Sequence, residues 1–335
     1  MITGATGYVA GWIVKHFLDN GYTLHLPVRD PDNLKKLSHL KELEKNSSGT
    51  IVFFKADLLK KDSYLESMQG CDTVIHTASP FKTKVKDPQK DLIEPALYGT
   101  ENVLNSVNQT PSVKKVVVTS SVVAIVGDSI EFQSGPKDES HWNNTSSLLH
   151  QPYNYSKTLA EQKAWQIYEA QNRWELATIN PSLVLGPSLN EQVTSESYNI
   201  IKQLGSGELK FGAPKYHFAA VDVRDVAIAH FKVAIQDELK GRFIVSADNT
   251  NLLELGRLIA ERFGDKYPLP QKELPKWLVW GLAPIIGLKR DVVAKNVGHP
   301  WQLDNSKSLT ELKLEYRDLK QSAQEFFAQV YNEKI

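Results

Sequence analysis

The chain has a single cysteine, Cys71, in 335 residues, so no intramolecular disulfide can form and a disulfide-stapled scaffold is excluded. An excess of charge of one sign is also missing, since 39 Lys and Arg stand against 39 Asp and Glu. Without a global positive field, neither nucleic acid nor an anionic membrane is an expected partner of the chain as a whole. The histidines contain no close pair: the nearest, His16 with His25 and His141 with His150, lie nine apart. No Cys-x-x-Cys accompanies them, so a metal centre is not expected. The most apolar stretch, Trp277 to Leu288, is 12 residues long with Gly281 and Pro284 inside it. That is short of the ~20 a membrane-crossing helix needs, and it reads as a packed or lid segment. The opening MITGATGY is not a basic-then-apolar leader, which with the lone cysteine points to a reducing compartment, most simply the cytoplasm.

What is present is enough chain for about two domains at roughly 150 residues each, and for a large core. The first half alternates β-branched runs with amphipathic stretches, the pattern of parallel strands joined by crossover helices. Strands are predicted at Tyr22 to Val28, Thr50 to Lys55, Thr73 to His76, Lys115 to Thr119 and Glu175 to Asn180. Helices are predicted at Val9 to Asn20, Asn33 to Lys45, Lys90 to Asn108 and Tyr153 to Asn172. The fold class is therefore α/β: a doubly wound parallel Rossmann sheet over residues 1–180. Residues 181–335 are expected to form a smaller, interleaved substrate-binding or lid domain, with 216–246 returning to the sheet. Only Met1, Ile2 and Thr3 precede the glycine turn, which reads as a first strand missing its beginning, and Pro27 is expected at the carboxyl end of the second strand.

Thr3-Gly4-Ala5-Thr6-Gly7-Tyr8-Val9-Ala10-Gly11 follows that strand and opens a helix, where backbone N–H groups face a pyrophosphate at the positive helix end. The same small residues would also serve plain strand-to-helix packing. About 20 residues on, Val28-Arg29-Asp30-Pro31 occupies the place that selects the adenosine ribose. Arg29 can fork onto a 2′-phosphate with Lys36 as a second cation, favouring NADP(H). The alternative is that Arg29 pairs with Asp30 while Asp30 takes a ribose hydroxyl. Asp57-Leu58 suits an adenine contact, with Asp57 also an N-cap candidate. Thr77, Ala78 and Ser79 place small residues where a nicotinamide ribose would lie.

Tyr153 and Lys157 lie four apart on a predicted helix, so they share a face. A nearby ammonium favours the phenolate and brings proton exchange closer to working pH. The fifth strand ends in Thr119-Ser120-Ser121 at the carboxyl edge of the sheet, where ligands bind in such folds, and Ser121 can hold a carbonyl oxygen.

With these pieces in order the chain resembles the extended short-chain dehydrogenase/reductases, and among them the dihydroflavonol 4-reductase-like carbonyl and aldehyde reductases. The resemblance rests on TGATGYVAG at 3–11, VRDP at 28–31, KADL at 55–58, HTASPF at 76–81, TSS at 119–121, DESHW at 138–142, YNYSKTLAE at 153–161, NPSLVLGP at 180–187 and DVRDVAIAH at 222–230. It implies Ser121 as carbonyl polariser, Tyr153 as acid/base, and Lys157 as the group that lowers the Tyr153 pKa and positions the ribose. It also implies Thr119, Pro181 and Ser182 along the cofactor edge. Ala10 replaces the usual third glycine. The Asn-Trp-Tyr-Cys-Tyr motif of cinnamoyl-CoA reductases is absent, the local sequence being Pro152-Tyr153-Asn154-Tyr155, which implies a substrate other than a CoA thioester.

Phe81, Val122, Val123 and Phe211, with Ser121 and Tyr153, are candidates for a mostly apolar substrate pocket. Lys82, Lys84 and Lys86 read as a solvated loop. The expectation is an NADPH-dependent reductase of a small-molecule carbonyl compound, as monomer or homodimer. The alternatives are a nucleotide-sugar epimerase or dehydratase, and a non-catalytic NADP-binding interaction protein.

Overall fold

The computed structural model describes residues 1–79, 85–190 and 195–334. Strand and helix alternate through the first half: β1 (Ile2–Thr3), α1 (Tyr8–Asp19), β2 (Thr23–Val28), α2 (Leu34–Lys45), β3 (Thr50–Lys55), α3 (Leu65–Met68), β4 (Thr73–His76), α4 (Glu94–Asn108), β5 (Lys115–Thr119), α5 (Pro152–Glu169) and β6 (Glu175–Pro181). The second half carries β7 (Leu183–Leu185), α6 (Glu196–Ser206), β8 (Ala213–Pro214), β9 (His217–Asp222), α7 (Val223–Ile235), β10 (Gly241–Val245), β11 (Asp248–Asn251), α8 (Leu252–Phe263), β12 (Glu273–Leu274), α9 (Lys276–Leu282), α10 (Arg290–Asn296), α11 (Ser306–Thr310) and α12 (Leu319–Val330).

β1, β4, β5, β6 and β10 form one parallel sheet in that order. Parallel strands need crossovers, and the crossovers cover both faces. The two-residue period of β5 makes this visible. Val117 joins Ile13 and Phe17 of α1 and Val226 and Val233 of α7 on one face, while Val116 and Val118 join Val103, Leu104 and Val107 of α4 on the other. β2 packs beside β1 but ladders with β3. β1 offers only two residues, and Pro27, next to last in β2, has no N–H to give. The strand order thus reverses between β1 and β4, the point at which ligands bind such sheets.

The expected return of 216–246 to the sheet divides in two. β10 lies parallel to β6, whereas β9 sits between β7 and β11 in a separate three-stranded sheet. Alternation along β9 explains this, because Phe218 and Ala220 enter the core formed by Leu204, Leu255, Phe326 and Phe327 while Val221 enters the first core. The apolar stretch 277–288, expected to be packed or a lid, buries Val279 and Ala283 against Val293 and Val297 and leaves Trp277 and Ile285 in solvent. Among the described residues no helix is long and apolar enough to cross a membrane.

Candidate active site

Gly4 has φ +69°, a conformation that suits glycine, and a Cβ there would come within 2.9 Å of Thr77 Oγ1 and 3.0 Å of the Ala78 nitrogen. The β1–α1 turn therefore lies directly against the end of β4. Thr77 Oγ1 donates to the Thr3 carbonyl at 2.6 Å, and Thr3 Oγ1 accepts from the Thr77 and Ala78 amides at 3.2 and 3.1 Å. Gly7 gives its amide to Gly4 O at 2.8 Å and caps α1 without a side chain; the first helical bond runs from Gly11 to Gly7 at 2.9 Å. The amides of Tyr8, Val9 and Ala10 are left at the positive end of the helix, beside exposed Thr6. Tyr8 offers its backbone only, since its hydroxyl donates to Gly186 O at 2.6 Å and its ring stacks on Phe326.

At the far end of this edge Arg29 is exposed, and among the described residues no carboxylate pairs with it; Asp30 instead accepts from the Asp32 amide at 3.2 Å. Lys36 is exposed in the first turn of α2, its amide capped by Asn33 Oδ1 at 3.1 Å. Burial raises the pKa of the Tyr64 hydroxyl, Asp57 adds to that and Arg29 opposes it. Asp57 does not cap a helix as expected. It closes a turn by accepting from Leu59 N at 2.9 Å, because α3 begins only at Leu65. Leu58 packs over Gly99 of α4.

Tyr153 sits in the first turn of α5, which begins from Gln151 in a left-handed conformation, φ 52°, followed by Pro152. That strained residue is held by Asp128 and Asn154, and Asp128 in turn accepts from His150 Nε2 and Asn296 Nδ2, each at 2.8 Å. Tyr153 is 40% exposed as a residue, yet desolvation around its hydroxyl, reinforced by Glu196, pushes its pKa up to about 12. Burial, rather than Lys157, sets the direction of the Tyr153 shift, so the expected net lowering is absent. The charge of Lys157 bears on His76, whose pKa burial lowers to about 3, and burial lowers Lys157 itself to about 8. Among the described residues the Lys157 ammonium has no hydrogen-bond or ion-pair partner. It lines a cavity of about 20 Å³ with His76, Ser79, Thr119, Ser120 and Glu161, room for about one water.

Ser121 caps the short turn Val122–Ala124, accepting from Val123 N at 3.3 Å, and this turn packs on α5. As a donor its hydroxyl reaches the Pro181 carbonyl at 3.5 Å, and so is lightly held. Thr119 Oγ1 is engaged with buried His230 Nε2 at 2.7 Å. Among the described residues Ser182 Oγ is buried without a partner, next to buried Pro181.

Beneath these side chains lies a buried network that the sequence reading did not single out. Glu161 accepts from Ser120 Oγ, from Asn180 Nδ2 at 2.7 Å, from Thr178 Oγ1 at 3.1 Å and from Arg242 Nε at 2.6 Å. Asn180 also donates to the Ser121 carbonyl at 3.1 Å. Arg242 holds the carbonyls of Glu139 and His141 and stacks on Trp142 at 3.9 Å, which docks the DESHW stretch over the site. The available signal was position: Glu161 lies four residues after Lys157 on one helix face.

The substrate candidates fare unevenly. Phe81 lies outside the described residues, as do Lys82 and Lys84. Val122 is not at a pocket surface but buried with Ile125, Val126, Phe132 and Ile244, since a residue following a strand end turns inward here. Val123 is half-buried beside Ser121, and its carbonyl accepts from Asn143 at 2.7 Å. Phe211 is 73% exposed, with Lys210 over its ring, and closes no pocket.

A glycine cradle that no Cβ could enter, the helix-end amides of α1, exposed Arg29 and Lys36 and a buried Ser182 hydroxyl without a partner among the described residues together fit a dinucleotide. The site defines a Rossmann-type oxidoreductase, and residues 1–245 match the model of the NAD dependent epimerase/dehydratase family; the chain belongs to that family, as an extended short-chain dehydrogenase/reductase. Within it, the chain falls with the dihydroflavonol-reductase-like reductases. It is 38% identical over 274 residues to cinnamoyl-CoA reductase CAD2 of Medicago truncatula, covering 81% of this chain and 82% of that one. It is 34% identical over 285 residues to a Vitis vinifera anthocyanidin reductase, covering 82% of each. The solved structure of yeast methylglyoxal/isovaleraldehyde reductase Gre2 with NADPH superposes with a TM-score of 0.79 at 25% identity, covering 99% of this chain and 97% of that one.

Proposed function

We propose that this chain reduces an aldehyde or ketone to the alcohol with NADPH. The observations that support the reading are the packing of the Ser121 turn on α5, the helix that carries Tyr153 and Lys157, and the place of Lys157 in a cavity with Ala78 and Ser79, beside which Gly4 lies, in a chain whose relatives are named as reductases. When bound, the cofactor supplies a hydride. The turn Thr3–Val9, with Gly4, Thr6 and Gly7, would hold its pyrophosphate, Arg29 and Lys36 its 2′-phosphate, and Asp57 and Leu58 its adenine. Thr77, Ala78, Ser79, Thr119, Pro181 and Ser182 would flank its other end.

Ser121 rotates its lightly held hydroxyl to donate to the carbonyl oxygen. Tyr153, protonated at neutral pH because its pKa is about 12, gives its proton to the oxygen as the alcohol forms. Lys157, still charged below about pH 8, donates to ribose hydroxyls and stabilises the phenolate left on Tyr153. Val123 and Tyr153 supply apolar surface for the substrate.

The test is loss of reduced-nicotinamide absorbance with aldehydes, ketones, diketones, flavanonols and a CoA thioester, with NADPH and NADH in parallel. Substrate-dependent oxidation faster with NADPH, and none with the thioester, is expected. Demonstrable NADPH binding with no oxidation by any carbonyl compound overturns the reading in favour of internal epimerase or dehydratase chemistry, or of a binding role.

A further inference from the structure

α9, the turn after it and α10 form a helical hairpin standing on the C-terminal lobe. Val279, Ala283, Val293 and Val297 anchor it to Tyr216 and Leu274, so it is a packed element. Its remaining apolar side chains nevertheless face outward. Trp277 is 74%, Ile285 81% and Ile286 57% exposed, and Trp280, Leu282 and Leu288 stand in solvent beside them. Gly287, φ +76°, turns the chain at the tip. A contiguous apolar surface of this kind marks an interaction site.

The charges around the ridge identify the partner. No acid occurs from Pro275 to Arg290, while Lys276 stands at one end and Lys289 and Arg290 at the other. Lys276 Nζ bonds Ala294 O at 2.7 Å, Lys289 Nζ bonds Leu149 O at 2.5 Å, and the Arg290 guanidinium lies 4.4 Å over Trp280. All three cations are thus fixed around the base. The first acid beyond them, Asp291, is taken by Lys295 at 2.9 Å and faces His150 at 3.6 Å.

We propose that this hairpin docks the protein on the surface of an anionic phospholipid bilayer. Ile285, Ile286 and Trp277 enter the boundary between headgroups and acyl chains, and Lys276, Lys289 and Arg290 meet the phosphates. Tryptophan beside basic residues at the edge of an apolar face is the composition that this boundary favours. A second copy of the chain meeting it face to face would oppose three cations with three. The zero net charge of the chain leaves attraction to this local cluster, so docking is reversible. The proposal does not depend on the reductase reading.

The test is co-sedimentation of the full chain with vesicles of phosphatidylcholine containing phosphatidylglycerol, and with pure phosphatidylcholine. The wild type is expected to pellet with the anionic vesicles and to be released several-fold by raised salt. Ile285→Asp with Ile286→Asp should weaken binding by roughly tenfold or more, and Lys289→Glu with Arg290→Glu should remove the preference for anionic lipid. Unchanged circular dichroism and melting of the Ile285→Asp chain separates this loss from misfolding. Failure of the wild type to pellet, or equal binding to both vesicles, overturns the proposal. So does a concentration-dependent dimer abolished by Ile285→Asp in a chain that binds no vesicle.

Discussion

The two ends of the ligand-binding edge are built in opposite ways. At the nucleotide end the groups that would meet a ligand are backbone amides, an exposed Arg29 and an exposed Lys36, with few internal partners. At the proposed catalytic end, Ser121 and α5 with Tyr153 and Lys157 adjoin a buried lattice in which Glu161 receives four donors from side chains near the sheet, and Gln151 is held in a strained turn. The first end can be satisfied by any ligand with the right phosphates. The second stands on a scaffold of internal hydrogen bonds, and a rigid scaffold is what positioning groups for a transition state requires. Substitutions at the nucleotide end should therefore change affinity, and those at the catalytic end the rate or the stability of the fold.

The largest expected effect is at Tyr153. Tyr153→Phe removes the proposed proton donor and should lower kcat by about 10²- to 10⁴-fold, read by steady-state reduction of whichever carbonyl compound the wild type turns over best. Next is Glu161, whose loss leaves Arg242 buried without its carboxylate. Glu161→Ala should cost about 3–5 kcal/mol in denaturant unfolding, and a chain as stable as wild type would break the contrast between the two ends.

Acid should come third. Burial lowers His230, under Thr119, to about 4 in the folded chain, against roughly 6.5 unfolded. The unfolded chain thus binds the extra proton first as pH falls. The stability tied to His230 is fully present above about 6.5 and lost as pH falls through about 4, about 3 kcal/mol in all. Melting temperature against pH should show this limb, and His230→Asn should flatten it. The smallest effect is at Arg29. Arg29→Ala should raise KM for NADPH roughly 10- to 100-fold, the cost of a lost charge-assisted contact, and leave KM for NADH nearly unchanged. Equal losses with both cofactors would remove Arg29 from 2′-phosphate recognition.

The parts of this architecture that were legible in the sequence are those set by neighbouring residues. β3, β4 and β5 fall on their predicted boundaries, because runs such as Lys115–Thr119 are short, β-branched and bounded by turn formers. The glycine turn and the Tyr153–Lys157 pair were legible for the same reason. What was hidden depends on distant partners. Glu161 and Arg242 are 81 residues apart, and no local pattern joins them. β9 reads as a sheet strand, but its alternate side chains serve two cores. Apolar type alone made Val122 and Phe211 pocket candidates, although one is buried in a separate cluster and the other faces water. The direction of the Tyr153 shift likewise follows from burial around α5, which spacing does not reveal.

The separation of binding from chemistry is tested most directly by one paired measurement on Tyr153→Phe: NADPH affinity by cofactor fluorescence, and single-turnover carbonyl reduction at saturating NADPH. The account predicts affinity within about twofold of wild type and transfer slowed at least roughly 100-fold. Near-wild-type transfer, or affinity and transfer falling together, would contradict it.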